Sequence, residues 1–185
     1  MTLKVLTPRR FEDERGWFSE TWNRAKFAAA GISLEFCQDN QSLSRPVGTL
    51  RGLHFQYPPA AENKYVRCTK GAVADVIVDL RPESATYLRH VIVNLSADNG
   101  RGLYIPERFA HGFVTLTDDT ELIYLISNYY TPGAEGGLPH DDPSLGISWP
   151  AEVRVLSDRD RAWKPHSNIG DELKARMNVA VHNRS

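Results

Sequence analysis

The chain carries histidines at positions 54, 90, 111, 140, 166 and 182, and no two of them form a His-x-His pair. His54 stands in RGLHFQ, where Gly52, His54 and Gln56 alternate against Leu53 and Phe55. A strand with that period presents one apolar face and one face bearing imidazole and amide. Gln38, Asn40, Arg51, His54, Gln56 and Lys64 together form an unusually polar stretch between strand signals. Polar groups turned into a β-lined interior are costly unless they bind something. Ligand binding therefore competes with the plainer reading, a structural histidine satisfied by one hydrogen bond.

Other blocks add chemistry of different kinds. In FEDERGWFSETW, residues 13–16 read as a turn before an edge strand, and the Arg15 guanidinium is a fork suited to phosphate oxygens. Trp17 and Phe18 are adjacent, so a strand cannot turn both toward one core, and one of them is expected to meet a ligand or another subunit. In YIPERFAHGFVTL, His111 enters a strand and is either a buried, hydrogen-bonded structural residue or a metal ligand. A metal site needs convergent nitrogen or carboxylate donors. The scattered histidines leave only His54, His111 and a carboxylate as such a set, so no metal is expected. Tyr124 shares a face with Leu122 and Ile126, and acts chemically only if that face meets the polar one. Tyr130, at a strand end, is placed to stack on a base. RVLSDRDRAWK reads by composition as a solvated charged loop. No glycine-rich phosphate loop, nucleophile elbow or dinucleotide fingerprint is present.

The elements that must position these residues are mostly strands. KYVRCT, AVADVIVDL, HVIVNLSA, GLYI, HGFVTLT and ELIYLISNYY are rich in β-branched and aromatic residues and alternate with a period of two. Turn residues separate them, among them Lys70-Gly71, Asp98-Asn99-Gly100 and Pro132-Gly133. This succession without intervening helices predicts an all-β sandwich, jelly roll or barrel. Helices are expected only at the flanks. NRAKFAAAG reads as one, with Asn23 as N-cap and Gly31 as the left-handed stop. DELKARMNV reads as a second, with Leu173 and Met177 on one face.

The remaining properties exclude whole classes. The 185 residues suit one domain, and 22 Lys and Arg against 23 Asp and Glu give a net charge of -1. That balance argues against nucleic acid or a membrane surface as partner. No run is apolar enough to span a bilayer, and MTLKVLTPRRFEDERG shows no export signal, so a cytoplasmic location is expected. Cys37 and Cys68 have no metal-ligand spacing and are expected as free thiols.

Taken together, FEDERGWFSETW, QDNQS, RGLHFQ, KYVRCTKG, DVIVDLR, NLSADN, IPERFAHGF, NYYTP, DDPSLGISWP and LSDRD resemble, in order, the RmlC family, the dTDP-4-dehydrorhamnose 3,5-epimerases. The resemblance spans about residues 11–160 and leaves the segment 165–185 without a role. It implies a cupin-like jelly-roll β-barrel, a homodimer, and no cofactor. It implies a catalytic base at His54, an orienting carboxylate at Asp160, an acid at Tyr124 and a cation at Lys64. Nucleotide and phosphate contacts are implied at Arg15, Phe18, Glu20, Gln38, Asn40, Arg51, Tyr130 and Arg159, with the early block reaching the partner subunit's site.

These residue types suit that chemistry. Carbons 3 and 5 of a 4-keto sugar flank the carbonyl, so loss of a proton from either gives an enolate whose charge must be stabilised. Imidazole is the side chain suited to taking such a proton at neutral pH. The substrate ketone is the electron sink, so neither metal nor organic cofactor is called for. Four places depart from the family pattern: Ala74, Arg108, Leu125 and the Pro139-His140 pair, all expected to bear on the pocket or its rim. Three rivals remain: a one-centre epimerase, a metal-dependent cupin enzyme, and a non-catalytic sugar-nucleotide binder.

Overall fold

A computed structural model describes residues 2–178. Val179, the end of the DELKARMNV run, and residues 180–185 of the C-terminal segment lie outside the described residues. In chain order the elements are β1 (Lys4–Leu6), β2 (Phe11–Asp13), β3 (Gly16–Phe18), α1 (Arg24–Ala29), β4 (Gln38–Ser44), β5 (Leu50–Gln56), β6 (Lys64–Lys70) and β7 (Ala72–Asp79). They continue with β8 (His90–Ser96), β9 (Gly102–Ile105), β10 (Phe109–Thr115), β11 (Thr120–Ile126), β12 (Glu135–Gly137), α2 (Asp158–Arg161) and α3 (His166–Met177).

One sheet has the order β1-β9-β6-β11-β4 and the other β12-β5-β10-β7-β8, while β2 and β3 form a separate hairpin. All these pairings are antiparallel. The crossovers between sheets are those of a jelly roll. The expected barrel is corrected in one respect. Among the described residues no ladder joins the two large sheets, so the body is a jelly-roll sandwich rather than a closed barrel.

Alternation along the strands builds three apolar layers. Val66, Cys68, Leu103, Ile105 and Leu122 of the first sheet meet Val73, Ile77, Leu95 and Phe113 of the second between the sheets. The outer face of the second sheet buries Leu53, Phe55, Val76, Val78 and Ala110 under Leu138, Leu145, Leu173 and Met177. The outer face of the first buries Tyr65 and Tyr104 under Phe27 of α1 and Ile32. Beside the core between the sheets, the polar residues of β4, β5 and β6 line a cavity.

The helices follow local signals. The Asn23 side chain accepts from the Lys26 N–H at the start of α1, and Gly31 takes φ +77 just past its end. The second expected helix begins earlier than the DELKARMNV run suggests. Pro165 serves as N-cap and α3 starts at His166, because Ile169 joins Leu173 and Met177 on one face against the core. Burying Leu173 and Met177 stabilises this terminus by about 1.5–3 kcal/mol each, so the segment after the resemblance is a packed strap. Cys37 is exposed and Cys68 buried, and both are free; burial pushes the Cys68 thiol up to about 11. Among the described residues no helix is long and apolar enough to cross a membrane.

Candidate active site

The site begins with an irregularity in β5. Strict alternation would turn Arg51 and His54 to opposite faces. The β5–β10 register shifts between His111 and Phe113, so His54 lies opposite His111 while Arg51 lies opposite Phe113. Gly52 makes this possible. It adopts φ +133, and a Cβ there would lie 2.5 Å from the Gly112 Cα and 2.9 Å from the His111 carbonyl oxygen. Only glycine fits this bulge. Arg51 and His54 consequently line one cavity, of about 580 Å³.

Its walls come from both sheets. β4 contributes Gln38, Asn40 and Ser42; β6 contributes Lys64; β11 contributes Tyr124; β10 contributes His111. Tyr124 is paired with Asn40 on one side and Val66 on the other, which sets it between the polar strand and the core. The mouth carries Tyr130, Glu135 and Arg159, with Arg159 in an ion pair to Glu135 at 2.9 Å.

His54 is oriented from behind. Its Nε2 lies 2.5 Å from Asp160 Oδ1. Trp163 Nε1 donates to the same oxygen at 3.3 Å, and the Gly52 N–H points at Oδ2 from 3.5 Å. With Nε2–H donating to the carboxylate, Nδ1 carries the lone pair, and no protein hydrogen bond occupies it among the described residues. The segment expected as a solvated charged loop is docked instead. Val155 bridges Thr49, the Leu50 N–H donates to the Val155 carbonyl, and Ser157 caps the short helix α2 by accepting from the Asp160 N–H. Asp160 thereby becomes the buried member of α2, 4% exposed. Burial acts to raise its pKa, but the hydrogen bond and charge of His54, together with the hydrogen bonds to Ser157 and the Gly52 amide, outweigh it and hold the carboxyl below the usual range.

Lys64 is held by Glu62, Nζ to Oε1 3.1 Å, with both side chains largely buried. Gln56 donates to Glu62 Oε2 at 2.6 Å and to the Tyr129 carbonyl, and accepts from the Thr131 N–H. Gln56 thus ties the base strand to the cation and to the mouth. Burial pushes the Tyr124 phenol well above its ordinary pKa; a hydrogen bond with Ser42, 2.9 Å long, acts in the opposite direction. His111 is sealed against Asp75, its Nε2 2.9 and 3.0 Å from the two carboxylate oxygens.

Of the residues singled out from the sequence, His54, Tyr124, Asp160, Lys64, Gln38, Asn40, Arg51, Tyr130 and Arg159 all line this cavity. Arg15, Phe18 and Glu20 do not. Arg15 is exposed and paired with Asp13 in the β2–β3 turn, while Trp17 and Phe18 are 57% and 70% exposed. Glu62, Ser42 and Asp75 were missed. Glu62 lies in the irregular segment just before β6, Ser42 in a strand too polar to show apolar alternation, and Asp75 looks like the polar member of an ordinary core strand.

The four family departures lie outside the cavity lining, against expectation. Leu125 faces the outer cluster around Tyr65, and Ala74 is fully buried on β7. The Trp149 indole N–H donates to the His140 carbonyl, away from the pocket. Arg108 sits at φ +67, where a glycine is unstrained, and is clamped by a two-pronged pair with Glu83 at 2.7 and 2.6 Å. Among the described residues no three His, Cys, Asp or Glu side chains are grouped to hold a metal ion.

Residues 2–168 match the family model described as dTDP-4-dehydrorhamnose 3,5-epimerase. The enzyme of that name from Shigella flexneri is 48% identical over 157 residues, covering 84% of this chain and 86% of that protein. The crystal structure of the dTDP-4-dehydrorhamnose 3,5-epimerase of Bacillus anthracis, with TDP and PPi bound, matches with a TM-score of 0.87 at 43% identity, covering 88% of this chain and 93% of the other. That of the dTDP-6-deoxy-D-glucose-3,5-epimerase of Legionella pneumophila, in complex with dTDP-4-keto-L-rhamnose, also matches with a TM-score of 0.87, at 39% identity over 92% and 91% of the two chains.

Proposed function

The chain belongs to the dTDP-4-dehydrorhamnose 3,5-epimerase family, and from that premise we propose how its own residues carry the reaction. It is an isomerase that converts dTDP-4-dehydro-6-deoxyglucose to dTDP-4-dehydrorhamnose by removing and returning protons at carbons 3 and 5. His54 takes the proton through Nδ1 while Asp160, on Nε2, fixes the tautomer and favours the imidazolium that forms. The electron pair moves onto oxygen 4, where the Lys64 ammonium stabilises the enolate. Tyr124 then gives its proton to the opposite face of the carbon, which inverts it. Gln38, Asn40, Arg51, Tyr130 and Arg159 hold the nucleotide and its phosphates, leaving the sugar at the inner end.

The observation that carries this reading is the open Nδ1 of a carboxylate-backed imidazole in the same cavity as Tyr124 and Lys64. We take the molecule to be a cytoplasmic homodimer of one cupin-like domain per chain, acting without metal or organic cofactor. Its β2–β3 hairpin brings Arg15, Phe18 and Glu20 to the partner's cavity. Two adjacent aromatics exposed on that hairpin support this arrangement.

The test is incubation with dTDP-4-dehydro-6-deoxyglucose in deuterium oxide, followed by mass and NMR analysis of the sugar. Deuterium is expected at carbons 3 and 5 of the product. Label at carbon 3 alone would instead mark a one-centre epimerase, and no label at all, with tight dTDP binding, a non-catalytic binder. In Tyr124→Phe, completed inversion is expected to fall by more than proton exchange does, by roughly 10²-fold.

A further inference from the structure

The inner face of β4 is polar throughout, and each of its side chains has a distinct duty. Gln38 and Asn40 are hydrogen-bonded to each other at 3.0 Å, and Ser44 accepts from Arg51 Nε at 3.0 Å. Ser42, between them, turns to Tyr124: its Oγ lies 2.9 Å from the phenol oxygen, and both groups border the cavity. Among the described residues Ser42 is the hydrogen-bond partner that this phenol has.

An acid in that setting has a specific difficulty. When Tyr124 protonates carbon, its O–H bond breaks, a C–H bond forms, and the electron pair remains on the phenol oxygen. The phenolate is then left in a largely buried place that opposes charge. Arg51, the nearby cation at this strand, spends its Nε and Nη2 on Ser44 and the Leu43 carbonyl. A hydroxyl that swings from accepting to donating answers the need. Before transfer Ser42 accepts the phenol O–H or yields to substrate, and afterwards its own O–H points at the phenolate, a charge-assisted bond stronger than the neutral one. The same bond fixes the ring against rotation, so the proton is aimed at the sugar face opposite His54.

We propose that Ser42 is a positioning residue for the proton-returning step, holding the Tyr124 phenol in aim and hydrogen-bonding to the phenolate left behind. The inference rests on the epimerase reading above and deepens it, since it divides the reaction into a half that needs Ser42 and a half that does not. Proton removal by His54 is independent of Ser42; inversion depends on it.

The experiment compares parent, Ser42→Ala, Ser42→Thr, Tyr124→Phe and the Ser42→Ala/Tyr124→Phe double variant with the keto-sugar nucleotide in deuterium oxide. Inversion and label returned to unconverted substrate are followed separately. In Ser42→Ala, kcat for inversion is expected to fall about tenfold or more, the usual scale for one hydrogen bond to a charged group. KM stays within about twofold, and the ratio of exchange to inversion rises. Ser42→Thr, which keeps the hydroxyl, recovers most of the loss. In the double variant the serine change adds nothing to Tyr124→Phe, because the two act as one unit. The inference is overturned if Ser42→Ala inverts at the parental rate, if exchange and inversion fall equally, or if the two substitutions act additively. A parent enzyme that exchanges no proton would remove the epimerase reading itself, and that outcome is seen before any variant is made.

Discussion

His54–Asp160 and His111–Asp75 are the same chemical pair, set on neighbouring strands. His54 and His111 are Cα partners across the β5–β10 ladder, and each offers Nε2 to a carboxylate behind it. Both carboxylates are sealed, at 4% and 0% side-chain exposure, but the imidazoles differ, at 39% and 6%. The carboxylates also differ in their supports. Asp160 stands on a capped helical turn and collects donors from His54, Trp163 and the Gly52 amide. Asp75 is on a central strand and faces one imidazole N–H with two oxygens, Oδ1 lacking a well-directed hydrogen bond. Residue type and pairing therefore do not make a base. An imidazole with one nitrogen anchored and its ring well exposed in the cavity can exchange protons with a substrate, whereas one that only borders the same cavity, at 6% exposure, serves the fold.

The sharpest way to break this comparison is to remove each imidazole. His54→Ala is expected to lower exchange at both carbons by about 10³-fold or more while the protein stays folded, the range that a positioned general base supplies. A variant that still exchanged label at a comparable rate would take His54 out of the mechanism. Asp160→Asn keeps the shape but withdraws the charge that favours imidazolium, and a loss on the order of 10²-fold in exchange rate is expected, with KM little altered. An unchanged rate would reduce Asp160 to a packing group.

His111→Ala acts on the other member of the comparison and should register first as stability. Removing it leaves the Asp75 carboxylate buried and unpaired, which costs about 3–5 kcal/mol. Urea unfolding of this variant beside His54→Ala gives the contrast directly. An unfolding midpoint for His111→Ala no lower than the parent's would mean that the inner pair contributes nothing to the fold and that its role lies elsewhere.

This contrast also explains how far the molecule was legible from its residues. The strands β6 to β11 were readable because alternate residues enter apolar layers on both sheet faces, and α1 because Asn23 and Gly31 mark its ends. The strand β4 was not, since its inner residues face a cavity instead of a core, so hydrophobic alternation is missing where the chemistry is densest. Asp160 has no signal of its own. It stands in a run of charges, and the pairing of Val155 with Thr49 and Leu50 carries it to the base. Its role was reached through family resemblance. The bulge at Gly52 was equally hidden: a period of two places Arg51 and His54 on opposite faces, and only the close approach of Gly52 to Gly112 shows otherwise. Tertiary pairing, not local propensity, decides each of these positions.

The smallest expected effect concerns protons rather than side chains, and it probes Asp160 without an activity assay. Its carboxyl titrates lower in the folded protein than the ordinary value of 3.8, because the hydrogen bond and charge of His54, with the hydrogen bonds to Ser157 and Gly52, together exceed the penalty of burial. A depressed folded-state pKa contributes stability that is fully present above the unfolded value and is lost as pH falls through the folded one. The parent should therefore lose stability with acidification below about pH 4 more steeply than Asp160→Asn, which has no proton to gain at that position. The two stability curves should converge toward low pH. Parallel curves across the acid range would mean that the carboxylate gains nothing on folding from its imidazole or its other partners. The orientation of His54 would then be owed to Trp163 and the strand geometry rather than to an ion pair.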